Sequence, residues 1–383
     1  MTTSPPESET YRDRVTGATV RRLTGYLAHS YHLYFTNPGW WDGNRRLVFG
    51  SDRGNGSNLY SIELVSGEIT TLTDSALGDA RSWQNAYVNP VRDEMYAWRG
   101  DELMAVDLGG GGARVIAKSP PGWTAGNESV TADGNYVVCA MRQDVNVGPL
   151  NLGAGYVGFR ELFEAHPLCR IVRTSIDTGE TETLHEEQNW LGHVNASPAL
   201  PHVLTYCYEG PWDLVGQRIW GLDTSTGRTW KIRPQKPGEM VGHEYWMDDG
   251  RTVGYHGKTR AGAGGEGFFG FADYNGEPIA EMPFPHDSHH FHSNTPELIV
   301  ADGPAEPNSP YVLLSRLVDG VFDGPRVLCT HRSSRHTQHL HVHPRLSPDG
   351  TQVLFTADPT GYGQLFLADV PPFESLPALD QVP

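Results

Sequence analysis

Two short stretches of the sequence are rich in histidine. Residues 286–294 read HDSHHFHSN and residues 336–343 read HTQHLHVH, and together they hold eight of the 17 histidines in the chain. Imidazole nitrogens combined with an amide or water oxygen form a suitable set of ligands for a divalent transition metal. In a regular strand, alternation would turn the three histidines that follow Gln338 to one side, and Gln338 itself would need an irregular turn to join them. These residues predict a metal site, unless they only satisfy buried polar groups or lie in surface loops.

The elements that must position these histidines are short strands joined by turns. The segment LSPDGTQVLFTADPTGYGQLFLADV (346–370) consists of an Asp-Gly turn, an apolar strand, a glycine-bearing loop and a second strand, and similar segments recur along the chain. We count seven such units, which begin near Tyr31, Ala80, Gly122, Leu191, Gly242, His286 and His336. Their spacing of about 40 to 60 residues is typical of four-stranded propeller blades. The sequence therefore predicts an all-β, single-domain, seven-bladed β-propeller.

The chain divides into a polar N-terminal segment, the propeller and a C-terminal tail, at residues 1–17, 18–372 and 373–383. Residues 18–25, ATVRRLTG, resemble the outer strand of a blade, and we expect them to close the ring by completing the last blade. The longest interruption, residues 142–168, contains GFRELFEAHP, which predicts a short amphipathic helix that ends near Pro167. We interpret this interruption as a loop over one face rather than as a separate domain.

Four histidines occupy matching positions in consecutive units. If Ala199, Asp249, Pro296 and Asp349 are equivalent turn positions, the residues six positions earlier are His193, His243, His290 and His343. In a propeller the strand before this turn is the innermost one, so equivalent positions on neighbouring blades converge at one end of the central channel. The pattern therefore predicts that histidines distant in sequence share one site.

Composition limits the class of protein and its partners. The formal net charge of −17 argues against nucleic acid as a partner, because phosphate binding needs a basic surface. An acidic ligand would need positive charge gathered locally. No apolar stretch resembles a signal peptide or spans a membrane. The four cysteines are scattered along the chain, at Cys139, Cys169, Cys207 and Cys329. This pattern favours buried free thiols in a reducing compartment, and hence a cytoplasmic protein.

Several motifs, in the same order along nearly the whole chain, resemble those of the oligogalacturonate lyases, which are metal-dependent seven-bladed propellers of pectin breakdown. The similar segments are SDRGNGSNLYSIELVSGEITTLTD, EGPWDLVGQRIW, VGHEYW and QHLHVHPRLSPDG. The Gln-x-x-His-x-His-Pro motif of this family matches Gln338, His341 and His343 as metal ligands. Its third metal histidine matches His290, although His292 stands where the family pattern has methionine, so the two histidines compete for this role. The resemblance selects manganese as the metal.

The resemblance also implies a reaction, the β-elimination of an α-1,4 galacturonate linkage in digalacturonate and short oligomers. The family's catalytic histidine in Val-Gly-His-Glu matches His243, which would remove the C5 proton, and its arginine in Gln-Arg-x-Trp matches Arg218. Arg218 would pair with a substrate carboxylate or with charge that develops in the transition state, unless it forms only a structural salt bridge. His193 and Arg345 are expected to bind the acidic oligosaccharide, unless His193 only forms buried hydrogen bonds and strand alternation points Arg345 outward.

Other functions remain open at this level. The substrate could be another uronate-containing oligosaccharide, because specificity would depend on loops such as 142–168 and 260–268. A propeller without catalytic activity could instead bind a protein or peptide. A serine hydrolase gated by a propeller is excluded, since no G-x-S-x-G motif occurs and no residues are left for a hydrolase domain. The sequence identifies neither the proton donor to the leaving group nor the oligomeric state.

Overall fold

The computed structural model describes residues 3–75, 83–151, 156–259, 265–284, 288–303 and 310–383. The predicted unit starts at Ala80 and His286 lie outside these residues, as does the part of the predicted specificity loop at 260–264. Seven separate antiparallel sheets are formed, which confirms the prediction of an all-β, seven-bladed β-propeller. No helix in the described ranges combines the length and apolarity needed to cross a membrane.

The strands are short and follow one another closely. The first eight are β1 (Thr3–Ser4), β2 (Glu9–Arg12), β3 (Thr19–Arg22), β4 (Ser30–His32), β5 (Trp40–Trp41), β6 (Arg46–Ser51), β7 (Asn58–Glu63) and β8 (Ile69–Thr71). The next eight are β9 (Gln84–Val88), β10 (Glu94–Arg99), β11 (Glu102–Asp107), β12 (Ala113–Lys118), β13 (Trp123–Val130), β14 (Tyr136–Gln143), β15 (Leu168–Ser175) and β16 (Thr181–Gln188). One α-helix, α1 (Phe159–Glu164), lies between β14 and β15.

The second half of the chain continues in the same manner. Its first eight strands are β17 (Leu191–Ala196), β18 (Val203–Tyr208), β19 (Ile219–Asp223), β20 (Thr229–Lys231), β21 (Met240–Trp246), β22 (Thr252–Lys258), β23 (Gly267–Asp273) and β24 (Pro278–Pro283). The remaining strands are β25 (Phe291–His292), β26 (Ile299–Ala301), β27 (Tyr311–Val318), β28 (Val321–Thr330), β29 (Arg345–Leu346), β30 (Gln352–Ala357) and β31 (Gln364–Asp369). Short 3₁₀ turns occur at Arg53–Asn55, Gln338–Leu340, Phe373–Ser375 and Leu379–Gln381.

The first of two compact units comprises Met1–Phe35, Gly39–Asp79 and Met282–Pro383. Its three sheets have the strand orders β1-β8-β7-β6-β4, β2-β3-β31-β30-β29 and β25-β26-β27-β28. Val20 of β3 pairs with Ala368 of β31, so an N-terminal strand completes the last blade as predicted. The expected polar N-terminal segment also contributes strands, since β2 pairs with β3 and β1 pairs with β8.

The second unit comprises Thr36–Pro38 and Ala80–Glu281. Its four sheets contain β9–β12, β13–β16, β17–β20 and β21–β24, each in simple meander order. Helix α1 lies in the predicted interruption and buries Leu162 in an apolar cluster with Trp190 and Leu191. Burial of aliphatic and aromatic side chains of this kind removes apolar surface from water and is the main stabilising contribution to the unit.

A backbone distortion marks the matched histidine positions. His193 has a φ of 46° and His243 a φ of 52°, and the strand register shifts at both places, between Gly192 and Asn195 and between Gly242 and Tyr245. His343, just before β29, has a φ of 43°. The left-handed region is unfavourable for residues other than glycine, and bulges of this type redirect a side chain. Three of the four histidines aligned by sequence therefore share one unusual conformation.

Candidate active site

Four imidazole rings meet in the first unit. The ring centroids of His290 and His343 are 4.2 Å apart, those of His290 and His341 are 5.7 Å apart, and those of His341 and His343 are 5.5 Å apart. His289, to which the sequence analysis assigned no role, joins them, because ring nitrogens of His289, His290 and His341 lie within 4.8 Å of one another. We call His289, His290, His341 and His343 the histidine cluster.

A buried carboxylate fixes the orientation of His290. Nδ1 of His290 lies 2.7 Å from Oδ2 of Asp302, whose Oδ1 accepts hydrogen bonds from Ser288 Oγ and from the backbone N–H groups of His289 and His290. Burial alone would raise the pKa of Asp302, but the neighbouring His290 imidazole and its hydrogen bond hold that pKa far below its usual range. The ionised carboxylate therefore accepts the Nδ1 proton of His290 and leaves the lone pair on Nε2, the arrangement common in metal-binding histidines.

The backbone around Gln338 is a turn and not a strand. Gln338–Leu340 form a 3₁₀ turn, so the regular strand that would send His339, His341 and His343 to one side is not formed. His339 instead stacks on Tyr31, with ring centroids 4.1 Å apart. The same irregular turn brings Gln338 to the cluster, where its Nε2 lies 3.4 Å from Nε2 of His343.

The chemistry of the cluster fits a divalent metal. Nδ1 of His341 is buried and, among the described residues, has no hydrogen-bond partner. Burial, and then the neighbouring histidines, lower the pKa of His341 to about 3 and that of His343 well below its usual value. Neutral imidazoles with an amide oxygen close by are the ligands that borderline metals prefer.

The second candidate for the third histidine ligand has another role. Nδ1 of His292 accepts a hydrogen bond of 3.3 Å from the backbone N–H of Leu346, and burial holds the pKa of His292 well below its usual value. Arg345, predicted to bind substrate, donates a hydrogen bond to the backbone carbonyl of Phe35, whose ring lies 5.7 Å from that of His290. The structure thus places His290 in the histidine cluster. Arg345 contacts Phe35, whose ring lies beside His290.

A buried network of charges surrounds Arg218 in the second unit. Its Nη1 donates a 2.9 Å hydrogen bond to Oε1 of Glu209, and its Nε lies 3.5 Å from Oε2 of Glu244. Oε2 of Glu209 in turn lies 3.0 Å from Nε2 of His193. Burial opposes ionisation of Glu209, but the Arg218 and His193 side chains hold its pKa far below the usual range. Arg218 is accordingly held as a cation, and its pKa is raised well above the usual value despite burial.

His243 is paired with a histidine that the sequence analysis missed. Nδ1 of His243 lies 2.8 Å from Nε2 of His256, and their ring planes differ by only 16°. The rings therefore meet edge to edge through one shared proton, and the ring of Trp212 lies 5.1 Å from His243 and 5.4 Å from His256. The sequence could have identified His256. Counting the same number of residues in both directions from Asp249 in the turn pairs it with Gly242, the residue before His243.

Comparison with known proteins agrees with this fold. A seven-bladed propeller that carries a cluster of buried histidines has the features of a metal-binding propeller. Residues 5–310 match the model of the oligogalacturonate lyase family. This chain therefore belongs to that family.

Individual relatives resemble the chain along almost its full length. An oligogalacturonide lyase of Pectobacterium atrosepticum is 27% identical, with 96% of this chain and 97% of the relative covered. An oligogalacturonate lyase of Dickeya dadantii is also 27% identical, with coverage of 94% and 96%. A solved oligogalacturonate lyase in complex with manganese has a TM-score of 0.86 at 27% identity and covers 97% of this chain and 98% of its own. A second solved oligogalacturonate lyase, from Vibrio parahaemolyticus, has a TM-score of 0.85 at 25% identity with the same coverage.

Proposed function

We propose that this protein is an oligogalacturonate lyase that cleaves the α-1,4 linkage of digalacturonate and short oligomers by β-elimination. Its full-length membership of the family supports this activity, and the histidine cluster is the structural observation that carries it. In the reaction the C5–H bond and the bond from C4 to the leaving oxygen break, a C4–C5 double bond forms, and the leaving oxygen takes up a proton from water. The hydrogen at C5 is weakly acidic, so the protein must stabilise the negative charge that follows its removal.

Four side chains of the first unit are proposed to hold manganese, namely His290, Gln338, His341 and His343. The solved relative in complex with manganese supports the choice of this metal. Bound there, the cation would neutralise the carboxylate beside C5 and stabilise the enolate-like charge, as a Lewis acid does. Asp302 contributes by fixing the tautomer of His290, and His289 lies close enough to replace a ligand or to contact the substrate acid.

His243 is proposed as the base that removes the C5 proton. If its Nδ1 proton is donated to His256, the lone pair stands on Nε2, where it can accept the proton from the sugar. The imidazolium that forms keeps its hydrogen bond to His256, and such bonds become stronger when the donor is charged. His256 would therefore act as a positioning residue that sets the tautomer of the base.

Arg218 is proposed to face the acidic groups of the substrate with a permanent charge. Its hydrogen bond to Glu209 and its proximity to Glu244 fix the guanidinium in place, so little side-chain entropy is lost when substrate binds. His193, held by Glu209, and Arg345 are proposed as further substrate-binding residues. The partner is thus an acidic oligosaccharide, and four buried free cysteines favour a reducing, cytoplasmic setting.

The direct test is product formation. Metal-free protein loaded with manganese is incubated with digalacturonate and with trigalacturonate, and the ultraviolet absorbance of the unsaturated product is recorded. We expect a signal with both substrates that disappears on chelation and returns with manganese. A signal only with other uronate-containing oligosaccharides would contradict the proposed substrate, and no signal with any uronate would contradict the lyase activity.

A substitution separates the base from the metal ligands. His243→Asn should abolish turnover but leave the manganese content unchanged. Loss of the metal in this variant would show that His243 is a ligand and not the base.

A further inference from the structure

A second set of side chains that can bind a metal lies in the second unit. It shares no residue with the four proposed manganese ligands. A ring nitrogen of His193, Sγ of Cys207 and a carboxylate oxygen of Glu209 all lie within 4.8 Å of one another. His193 is on β17, and Cys207 is on the neighbouring strand β18, where it pairs with Gly192. Imidazole, thiol and carboxylate are the three side-chain groups that bind zinc in proteins.

The separations match those of a tetrahedral site. Bond lengths of about 2.0 Å to nitrogen or oxygen and about 2.3 Å to sulfur give ligand–ligand edges of roughly 3.3 Å for N–O and roughly 3.6 Å for S–O. Nε2 of His193 is 3.0 Å and Sγ of Cys207 is 3.7 Å from Oε2 of Glu209. Both separations from Glu209 therefore lie within a few tenths of an ångström of the tetrahedral edges, which is close to the tolerance of a metal site.

The charges around these donors are unbalanced. Two carboxylates, Glu209 and Glu244, face one permanent cation, Arg218. Glu244 is 1% exposed, and neither of its oxygens has a hydrogen-bond partner within the part of the chain that the structure describes. A buried carboxylate without full compensation is costly, so the network needs one more positive charge. A bound cation would provide it.

We propose that His193, Cys207 and Glu209 form a second cation site, suited to zinc or cobalt. Binding displaces the thiol proton of Cys207 to solvent, so that neutral imidazole, thiolate and carboxylate surround the dication and a water completes the tetrahedron. With Arg218 and Glu244 included, the charges of the buried network then sum to zero. The hydrogen bond from Arg218 to the other oxygen of Glu209 becomes the outer contact that ligating carboxylates usually have.

Occupation of this site has a consequence for the proposed lyase reaction. Because His193 and Arg218 are also proposed to bind substrate, zinc here would inhibit turnover. This consequence rests on the proposed function, whereas the site itself does not. High concentrations of zinc should therefore oppose the activity that manganese supports.

Cobalt provides a test of the site that does not depend on activity. Metal-free full-length protein is titrated with Co²⁺ while the near-ultraviolet spectrum is recorded, because a thiolate bound to cobalt gives a charge-transfer band. The histidine cluster contains no thiol and cannot produce it. We expect the band in the wild type and in the control Cys169→Ser, whose thiol is also buried, but not in Cys207→Ser. Absence of the band in the wild type, or its survival in Cys207→Ser, would overturn the proposal.

Zinc inhibition tests the consequence separately. Manganese-loaded wild type, Cys207→Ser and Cys169→Ser are assayed over a range of added Zn²⁺. Serine can keep the hydrogen bond to Glu209, so turnover without zinc should persist in Cys207→Ser. The sensitivity of this variant to zinc should fall by at least about tenfold, because loss of a strong ligand contact usually weakens metal binding by that much. Equal sensitivity of the three proteins would contradict inhibition through this site. A cobalt band in the wild type without any zinc inhibition would instead contradict the substrate-binding role of His193.

Discussion

The carboxylate of Asp302 offers a sharp way to perturb the histidine cluster without removing a proposed ligand. Three hydrogen bonds reach its Oδ1, and one, from Nδ1 of His290, reaches its Oδ2. In Asp302→Asn the amide oxygen is expected to keep the three donors, so the NH₂ group turns toward His290. Nδ1 must then accept a hydrogen bond, and the imidazole proton moves to Nε2, which can no longer bind a metal.

The expected magnitude follows from this change of tautomer. Loss of an outer carboxylate that holds a ligating histidine typically weakens metal binding by about 10- to 100-fold, which corresponds to roughly 1.4 to 2.8 kcal/mol. The hydrogen bond between residue 302 and His290 changes from one with a charged acceptor to a neutral one, so the free energy of unfolding of the metal-free protein should fall by about 1 kcal/mol, the difference between the two kinds of bond. Binding and stability must therefore be measured on the same preparations.

Calorimetric titration with Mn²⁺ gives the affinity, and thermal unfolding gives the stability. The matched control is Asp349→Asn, which removes a carboxylate that accepts hydrogen bonds from Ser347 and Thr351 in the last blade. We expect manganese affinity to fall at least tenfold in Asp302→Asn and to change little in Asp349→Asn. A folded Asp302→Asn protein that binds manganese as tightly as the wild type would refute the role of Asp302.

Three further predictions concern other parts of the molecule. His256→Phe should lower kcat by at least about tenfold, a part of the 10²- to 10⁴-fold contribution of a general base, while KM and manganese affinity stay nearly unchanged. His256→Gln should recover part of the lost kcat. Equal kcat values in the wild type and His256→Phe would show that His256 does not position the base. His339→Ala should leave manganese affinity unchanged, because His339 stacks on Tyr31, and calorimetry would expose a contrary role as a ligand. Burial raises the pKa of Glu128 well above 4.5, so the folded protein keeps a proton that the unfolded chain releases as the pH rises. Urea unfolding at pH 5 and pH 7 should show Glu128→Gln gaining stability relative to the wild type by up to about 1.4 kcal/mol per pH unit, and a constant difference would contradict the raised pKa.

The fold could be predicted from the sequence because its turns carry local signals. Asp-Gly pairs impose hairpins, and the alternation between them sets which residues face the core, so the blades and the closing strand β3 follow from local pattern. The pairing of β1 with β8 could not be predicted in the same way. It joins two polar residues at the N-terminus to a strand far along the chain, and a two-residue strand has no periodicity.

Site residues could be predicted from the sequence where their position in the repeat determines where they lie in the blade. The six-residue offset from the turn identified three histidines that share the left-handed backbone, His193, His243 and His343. The partners of the functional residues were missed because they depend on cross-strand register. His256 pairs with Gly242, and the pairing of Phe291 with Ala301 brings His290 opposite Asp302. Counting outward from each turn would have found both, whereas the 3₁₀ turn at Gln338 leaves no periodic signal.

The proposed lyase reaction depends on a metal that the histidine cluster holds. Crystals grown with manganese and measured on both sides of the manganese absorption edge would locate the ion by its anomalous scattering. We predict a peak within bonding distance of His290, His341 and His343, with Gln338 as the oxygen ligand. A peak elsewhere, or none at these side chains in crystals of active protein, would show that the histidine cluster does not hold the metal.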